Sequence, residues 1–327
     1  MRAVYITNFA APDNLEIREV ASPAAPQERQ VLVRVEAAGL NRADLLQARG
    51  LYPPPAGFSP NIPGLEFAGE VAATGDGVTA FAIGDRVFGI TAGEAQAELV
   101  LTDESLVAPI PDNLSFTEAA AVPEAFITAQ DAIFTLGDLK AGETLLIHAV
   151  GSGVGLAGLQ LAKAAEAKVI GTSRTAEKLD KCAAFGLDEA ILTAEPVFAE
   201  NVKSATGGKG VDVILDLVGG AYFAENLASL ALRGRLILVG LTSGRTAEID
   251  LGMALQKRLQ ITGTTLRARS LDEKAAAIRK FVGDVVPLLA SGRVRPNLDR
   301  VFAARDVIDA YRYLASNESF GKVVLEF

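Results

Sequence analysis

The chain has 327 residues, half of them hydrophobic, and a formal net charge of −9 spread without blocks of like charge. This length suits two domains, and the composition argues against disorder. No apolar run reaches the ~18 residues of a membrane span, no signal-peptide core opens the chain, and no basic stripe favours nucleic acid or an anionic membrane. We therefore expect a cytoplasmic protein that binds neither nucleic acid nor membranes.

Metal ligands are scarce, because the chain contains one cysteine, Cys182, and one histidine, His148. Zinc sites in proteins are built mainly from Cys and His side chains, and a set made of carboxylates alone suits Mg²⁺ or Ca²⁺ better. The counts predict a protein without zinc and without an internal disulfide. We expect Cys182, in the middle of a predicted helix, to serve packing.

The chain up to about residue 114 is rich in predicted strands. Alternating or bounded apolar runs at 15–20, 31–37, 66–73 and 85–90 predict strands, and one helix is expected near 42–48. Ser115 and Glu118 then form a capping-box pattern. That pattern predicts a helix running toward Phe134.

From residue 144 to 264 the period changes, and short Val/Ile/Leu-rich strands alternate with helices. This alternation is typical of right-handed βαβ units around a parallel sheet. A final strand at 322–327 is expected to return to the N-terminal portion. We predict an α/β fold, with a doubly wound parallel Rossmann sheet at 121–265 inserted into a β-rich domain formed by 1–120 and 266–327.

A glycine-rich turn, Val150-Gly151-Ser152-Gly153-Val154-Gly155, separates a predicted strand from an Ala/Leu-rich helix. Such a turn lets the backbone approach a pyrophosphate, and the helix N-terminus adds N–H groups and a positive dipole. The pattern G-x-G-x-x-G fits Gly153, Gly155 and Gly158, but that register starts inside the helix. The working glycines are therefore Gly151, Gly153 and Gly155, with Gly158 as a packing contact. The alternative is a structural turn that binds no ligand.

The second strand of this region predicts which dinucleotide binds. It ends in Ser173-Arg174, with Lys178 one helical turn later, and it lacks the Asp or Glu that binds an NAD ribose. Cations at this place suit a 2′-phosphate, which favours NADPH. Alternatively, Arg174 and Lys178 are only solvated surface charges.

Motifs along nearly the whole chain carry a family resemblance. They are GLNRADL at 39–45, GLYPPP at 50–55, PGLEFAG at 63–69, GDRV at 84–87, PEAFIT at 123–128, IHA at 147–149, DLVGG at 216–220 and GKVVL at 321–325. With these motifs the chain resembles the zinc-independent quinone oxidoreductases of the medium-chain dehydrogenase/reductase superfamily, most closely the p53-inducible branch. Zinc-dependent relatives place a metal-binding His after the glycine of the third motif, where this chain has Leu65.

The resemblance implies a GroES-like fold for the β-rich domain and NADPH-dependent reduction of quinones by direct hydride transfer. It places Asn41 and Tyr52 beside the nicotinamide and substrate, and Thr128 on the nicotinamide side. Asn41 and Tyr52 are neutral donors, which suit a carbonyl oxygen that gains negative charge. The full set of predicted cofactor contacts is Asn41, Tyr52, Thr128, Gly151, Ser152, Gly153, Val154, Ser173, Arg174, Lys178, Val218, Gly240, Leu241, Leu266, Arg267 and Lys322.

The sequence departs from the family pattern at two positions. Thr193 stands where relatives often have a Tyr near the 2′-phosphate, and Ser152 stands where many have Gly. The Thr193 departure weakens the predicted NADPH contacts, although Arg174 could compensate.

Several site residues also have a plain structural interpretation. Asn41 could cap the helix that follows it, and Tyr52 could anchor its loop on the prolines. Asp44 is expected to pair near Arg42 or Arg49. For His148 a buried histidine with satisfied hydrogen bonds is the preferred interpretation.

Two other functions stay open at this point. One is NADPH-dependent reduction of an activated C=C bond in an enone or enoyl thioester, with Tyr52 protonating the α-carbon. The other is a non-catalytic NADPH-binding structural or RNA-binding protein, although the acidic composition disfavours RNA. Leu51 and Phe58 favour a small hydrophobic acceptor, and the resemblance implies a homodimer formed through the strand at 259–264.

Overall fold

The computed structural model describes residues 1–9 and 14–327, and the chain divides into two compact units. The first unit comprises Met1–Ile127 and Leu266–Phe327, and the second comprises Thr128–Thr265. Within the described residues, no helix combines the length and apolar character that crossing a membrane requires.

Fifteen strands are present in the described residues. Those of the first unit are β1 (Arg2–Ile6), β2 (Leu15–Glu19), β3 (Gln30–Gly39), β4 (Glu66–Thr74), β5 (Arg86–Ile90), β6 (Leu99–Asp103), β7 (Val107–Pro109), β14 (Leu298–Ala303) and β15 (Lys322–Glu326). Those of the second are β8 (Thr144–Ile147), β9 (Lys168–Ser173), β10 (Glu189–Leu192), β11 (Val211–Asp216), β12 (Leu230–Leu238) and β13 (Gln260–Gly263).

Eleven α-helices accompany these strands in the part of the chain that is described. They are α1 (Arg42–Ala48), α2 (Phe116–Ala119), α3 (Pro123–Gln130), α4 (Gly153–Ala164), α5 (Ala176–Cys182), α6 (Ala199–Ala205), α7 (Phe223–Ser229), α8 (Leu251–Lys257), α9 (Leu271–Asp284), α10 (Val286–Ala290) and α11 (Val307–Ser316).

The first unit is built on a seven-stranded sheet in the order β14-β15-β3-β4-β5-β7, with β6 also paired to β3, while β1 and β2 form a separate pair. Alternate residues of β3, among them Val31, Val33 and Val35, are buried in the core. The last strand, β15, lies antiparallel to β3, with Val324 opposite Gly39. The predicted return of the final strand is therefore confirmed.

The helix predicted to run from Ser115 toward Phe134 is shorter than expected. Ser115 caps a helix with a complete capping box, but that helix, α2, has only four residues. A new helix, α3, begins at Pro123, and a π-helical segment follows at Asp131–Leu136. Proline has no N–H to bond the preceding turn and restricts the residue before it, so the first helix cannot continue through Pro123.

The second unit contains a six-stranded sheet in the order β10-β9-β8-β11-β12-β13. All neighbouring strands in it are parallel. The order runs outward from β8 in both directions, which is the arrangement of a doubly wound dinucleotide-binding sheet. The predicted fold class is confirmed. In such sheets ligands bind beyond the carboxyl ends of the strands, so a ligand is expected at the turns after β8, β9, β11 and β12.

Candidate functional site

In the second unit, the glycine-rich turn leads from β8 into α4. Ser152 is the N-cap of this 12-residue helix, and its Oγ accepts the N–H of Gly155 at 3.2 Å. A β-carbon at Gly155 would lie 2.6 Å from the carbonyl oxygens of Ala149 and Val150, so the turn requires glycine there. The predicted contacts Gly151, Ser152, Gly153 and Val154 thus lie at a helix N-terminus, whose N–H groups suit a phosphate.

Gly158 has a different task from the glycines of the turn. A β-carbon there would lie 2.9 Å from Cδ1 of Ile133 and 3.3 Å from Cδ2 of Leu215. Glycine therefore allows α4 to approach its neighbours closely, which is the packing role expected for it.

The residues predicted to contact the 2′-phosphate lie near the end of β9. Ser173 Oγ accepts the N–H of Thr175 at 3.2 Å, Arg174 is exposed, and Lys178 lies half-buried on α5. Thr193 is buried beside them, and its hydroxyl donates to the carbonyl of Ser173 at 3.3 Å. The hydroxyl of Tyr222 in turn donates to Thr193 Oγ1 at 3.1 Å. A tyrosine hydroxyl, that of Tyr222, therefore lies next to Thr193, the position at which relatives often have a tyrosine, although it comes from another part of the chain.

Two further turns, at Val218 and at Gly240-Leu241, pack tightly on each other. A β-carbon at Gly240 would lie 2.4 Å from the carbonyl oxygen of Leu217, so the second turn also needs glycine. A pocket of ≈ 240 Å³ next to them is lined by Gly219, Gly220, Phe223, Leu238, Leu241, Arg245, Thr246, Ala247 and Ile249. Thr128, also in this unit, is half-buried on α3.

The one histidine and the one cysteine of the chain are both buried in the second unit. His148 follows β8 instead of lying within it, and both ring nitrogens have hydrogen-bond partners. The preferred interpretation, a satisfied buried histidine, is confirmed. Cys182 is fully buried, as its expected packing role requires, and burial raises the pKa of its thiol to about 12.

In the first unit, Asn41 occupies the N-cap position of α1. Its backbone N–H donates to Oδ2 of Asp44 at 2.7 Å, and Oδ1 of Asp44 accepts the N–H of Gly64 at 3.2 Å. The expectation that Asp44 pairs with Arg42 or Arg49 was wrong, because the carboxyl satisfies two backbone donors, one of them from a distant loop. Burial raises the pKa of Asp44 to about 6.

The side chain of Asn41 belongs to a buried polar cluster with Lys322 and Glu66. Nζ of Lys322 lies 2.5 Å from Glu66 Oε1, 2.7 Å from Asn41 Oδ1 and 2.7 Å from the carbonyl of Leu40. Asn41 Nδ2 also donates to Glu66 Oε1 at 2.8 Å. Lys322 therefore uses its three N–H donors within the first unit, whereas Asn41 uses one of its two among the described residues.

Tyr52 and Arg267 form the second polar group of the first unit. The buried Arg267 donates to the carbonyls of Ala92 at 2.7 Å and Tyr52 at 2.9 Å, and to Oε1 of Gln47 at 2.5 Å. Its guanidinium lies 5.0 Å from the ring centre of Tyr52, and Leu266 is buried beside it. Burial raises the pKa of the Tyr52 phenol, so it stays protonated, and its hydroxyl has no hydrogen-bond partner in residues 1–9 and 14–327.

Glu66 and Glu124 are site residues that the sequence analysis missed. The N–H of Glu124 donates to Oε2 of Glu66 at 2.8 Å. Burial raises the pKa of the half-buried Glu124 carboxyl to about 8, and the negative charge of Glu66 adds to this, while Lys322 and Arg267 act in the opposite direction. Both residues stand in quoted motifs, but only the folded chain brings their partners together.

Leu65 occupies the position at which zinc-dependent relatives place a metal-binding histidine. Leu65 is apolar, and the neighbouring carboxylate of Glu66 is engaged by Lys322 and Asn41. Across the described ranges, no group of three or more His, Cys, Asp or Glu side chains is placed to hold a metal ion.

We predict that Glu124→Gln changes how stability depends on pH. A carboxyl whose pKa is about 8 in the folded protein, above its ordinary value, stabilises the fold at low pH and loses that contribution as pH rises to about 8. Glutamine cannot ionise, so the variant should gain stability relative to the wild type as pH rises from 5 to about 8. Urea unfolding at several pH values measures this difference.

The control is Glu19→Gln, which replaces an exposed glutamate on β2. Its unfolding free energy should follow that of the wild type over the same pH range. Parallel curves for Glu124→Gln and the wild type would contradict the assignment.

Comparisons with known proteins agree with this architecture. Residues 27–129 match the family model of the alcohol dehydrogenase GroES-like domain, and residues 153–282 match that of the zinc-binding dehydrogenases. Quinone oxidoreductase-like protein 2 of Mus musculus is 34% identical over 99% of this chain and 91% of that protein.

Solved structures give the same picture. The Escherichia coli quinone oxidoreductase complexed with NADPH matches with a TM-score of 0.90 and 30% identity over 100% of both chains. The CurK enoyl reductase matches with a TM-score of 0.87 and 26% identity over 99% of this chain and 98% of that one. The placement in the p53-inducible branch stays a prediction. The chain itself belongs to the quinone oxidoreductases of the medium-chain dehydrogenase/reductase superfamily.

Proposed function

We propose that this protein reduces quinones with NADPH by direct hydride transfer and without zinc. The observation that carries the proposal is the pair of neutral donors in the first unit, the Asn41 amide and the Tyr52 hydroxyl. Each is held by a buried cation, Lys322 or Arg267. Among the described residues, no group of three or more His, Cys, Asp or Glu side chains is placed to hold a metal ion. The predicted division into a catalytic domain, 1–120 plus 266–327, and a Rossmann domain, 121–265, is part of the proposal.

The second unit is proposed to bind the dinucleotide. The N–H groups at Gly151, Ser152, Gly153 and Val154 suit the pyrophosphate, because they stand at the start of α4. Ser173, Arg174 and Lys178 are the proposed contacts of the 2′-phosphate, and Val218, Gly240, Leu241 and Thr128 are the proposed contacts of the nicotinamide side. The NADPH complex of the Escherichia coli relative supports this choice of cofactor.

Reduction of a quinone to a hydroquinone requires one hydride and one proton on the acceptor. When bound, the nicotinamide supplies the hydride. Asn41 and Tyr52 then donate hydrogen bonds to the acceptor oxygen that gains negative charge. A donor that is already fixed in place does not need to reorganise during the reaction, which is why the buried partners of these two side chains matter.

Lys322 and Arg267 take a different role in this proposal from the one that the sequence suggested. The N–H donors of Lys322 and three nitrogens of Arg267 bond groups of the first unit itself. We therefore propose that Lys322 positions Asn41 and that Arg267 positions Tyr52, while Leu266 stays a proposed cofactor contact.

Reduction of an activated C=C bond is the second candidate function. The similarity to CurK enoyl reductase favours it, and the Tyr52 hydroxyl, protonated and without a partner in the described residues, suits proton donation to an α-carbon. An RNA-binding role is disfavoured by the net charge of −9. We propose a homodimer that pairs β13, whose residues are largely exposed at the edge of the sheet.

We predict that Arg174→Ala combined with Lys178→Ala raises the KM for NADPH at least about tenfold, because charge-assisted phosphate contacts of ~1.5–3 kcal/mol are lost. The KM for NADH should not change, since NADH lacks this phosphate. Initial rates with 1,2-naphthoquinone measure both constants. Lys181→Ala, on the same helix, is the control and should behave like the wild type. An equal rise for NADPH and NADH would contradict the proposed phosphate site.

For the acceptor, we predict that wild-type protein oxidises NADPH rapidly with 1,2-naphthoquinone and slowly with a 2-enoyl thioester. Tyr52→Phe should lower kcat/KM for the quinone by roughly 100-fold, the effect of removing one donor to an oxyanion.

Tyr313→Phe serves as the matched control, because it removes a hydroxyl that bonds Asp299 on the surface of the first unit. The rates of this variant with the quinone and with the enoyl thioester should equal those of the wild type. Turnover of the enoyl thioester without turnover of quinones would replace the quinone proposal with the C=C reductase.

A further inference from the structure

His148 lies between the end of β8 and the glycine-rich turn, and it takes no part in the proposed chemistry. Its ring is fully buried, with its centre 4.8 Å from the ring centres of both Phe198 and Tyr222. Nδ1 lies 2.9 Å from Thr172 Oγ1, and Nε2 lies 2.6 Å from Asn226 Oδ1. One side chain thus connects the carboxyl ends of β8 and β9 with α7.

Asp216, at the end of this hydrogen-bond network, determines which atoms of the network carry the protons. The carboxylate of Asp216 can only accept hydrogen bonds, so Asn226 must present Nδ2 to Asp216 Oδ2, at 3.0 Å. Oδ1 of Asn226 then faces His148, so Nε2 carries the ring proton and Nδ1 accepts from Thr172. Burial lowers the pKa of His148, in spite of the nearby charge of Asp216, so the ring is neutral at neutral pH.

Asp216 connects this hydrogen-bond network to two turns. Its Oδ1 accepts the N–H groups of Val218 at 2.8 Å and Gly219 at 2.9 Å. Its main-chain oxygen accepts the N–H groups of Val239 at 2.9 Å and Gly240 at 3.1 Å. A β-carbon at Gly219, whose φ is +84°, would lie 2.9 Å from the carbonyl oxygen of Gly240. The two turns therefore cannot move independently.

We propose that His148 is a positioning residue for cofactor binding, which holds the turns at Val218 and Gly240 in place through Asn226 and Asp216. The inference rests on the proposed function, in which these turns contact the dinucleotide. A fully bonded buried network is rigid, and removal of one member leaves another polar group unsatisfied. His148 contributes affinity for the cofactor by this means, although it does not itself touch the cofactor.

Three substitutions separate the two hydrogen bonds of the ring. His148→Gln keeps an N–H donor for Asn226, His148→Asn keeps an acceptor for Thr172 but loses that donor, and His148→Leu loses both. We expect the dissociation constant for NADPH, measured by nicotinamide fluorescence, to rise about tenfold for the Asn and Leu variants, which corresponds to ~1.4 kcal/mol. For the Gln variant we expect a change of no more than about twofold.

Two further readouts distinguish positioning from general destabilisation. Asn226→Ala should weaken NADPH binding as His148→Leu does, and the double variant should be no weaker than the worse single one, because both break the same connection. Phe198→Leu removes a ring that packs on His148 but none of these hydrogen bonds. It should lower the unfolding midpoint without changing the dissociation constant.

The outcomes keep the two proposals apart. Absence of NADPH binding by the wild type would overturn the proposed function. Normal NADPH binding by wild type, His148→Leu and Asn226→Ala alike would overturn the positioning role alone. An equal loss of affinity in Phe198→Leu would also overturn it, because stability and not the network would then control binding.

Discussion

The buried ion pair between Lys322 and Glu66 is the constraint on which the candidate site of the first unit depends, because it fixes the side chain of Asn41. It joins β15, near the end of the chain, to β4 at 2.5 Å, and both side chains are almost completely buried. Burying two charges is costly unless hydrogen bonds satisfy the remaining donors and acceptors. Here Leu40 and Asn41 accept from the ammonium, and Asn41 and Glu124 donate to the carboxylate. Asn41 is thereby fixed from both sides.

The second unit uses the same physical principle with one buried carboxylate, that of Asp216, and neutral partners. His148, Asn226 and Asp216 form a buried chain of hydrogen bonds that ends on backbone N–H groups of two turns. Apart from Arg174 and Lys178, the residues proposed to meet ligands are neutral or main-chain donors in both units, and the costly buried groups lie behind them. Such an arrangement supplies fixed dipoles without placing a charged side chain against an apolar acceptor.

The sequence predicted the parts of the fold that depend on local pattern. The alternation of apolar strands and helices led to the doubly wound sheet, and the strand–turn–helix context identified the glycine turn. Helix α1 was also expected close to its observed range. The break at Pro123 was misjudged, because the capping box at Ser115 signals where a helix begins and not where it ends.

Site residues were harder to predict where their partners are distant in sequence. Asp44 was assigned to nearby arginines, yet it bonds Gly64. Lys322 and Arg267 were predicted to contact the cofactor, whereas the fold surrounds them with acceptors separated from them by more than 170 residues. Glu66 gave no signal of its own, since a carboxylate within an apolar strand does not reveal which cation will neutralise it.

A double-mutant cycle on Lys322 and Glu66 tests the account most directly. The free energy of unfolding in urea is measured for Lys322→Met, Glu66→Gln and the double variant. We predict that each single substitution costs about 3–5 kcal/mol, because it leaves the other charge buried without its partner, and that the double variant is more stable than either single one. Single variants as stable as the wild type, or costs that simply add, would contradict the claim that this pair organises the site.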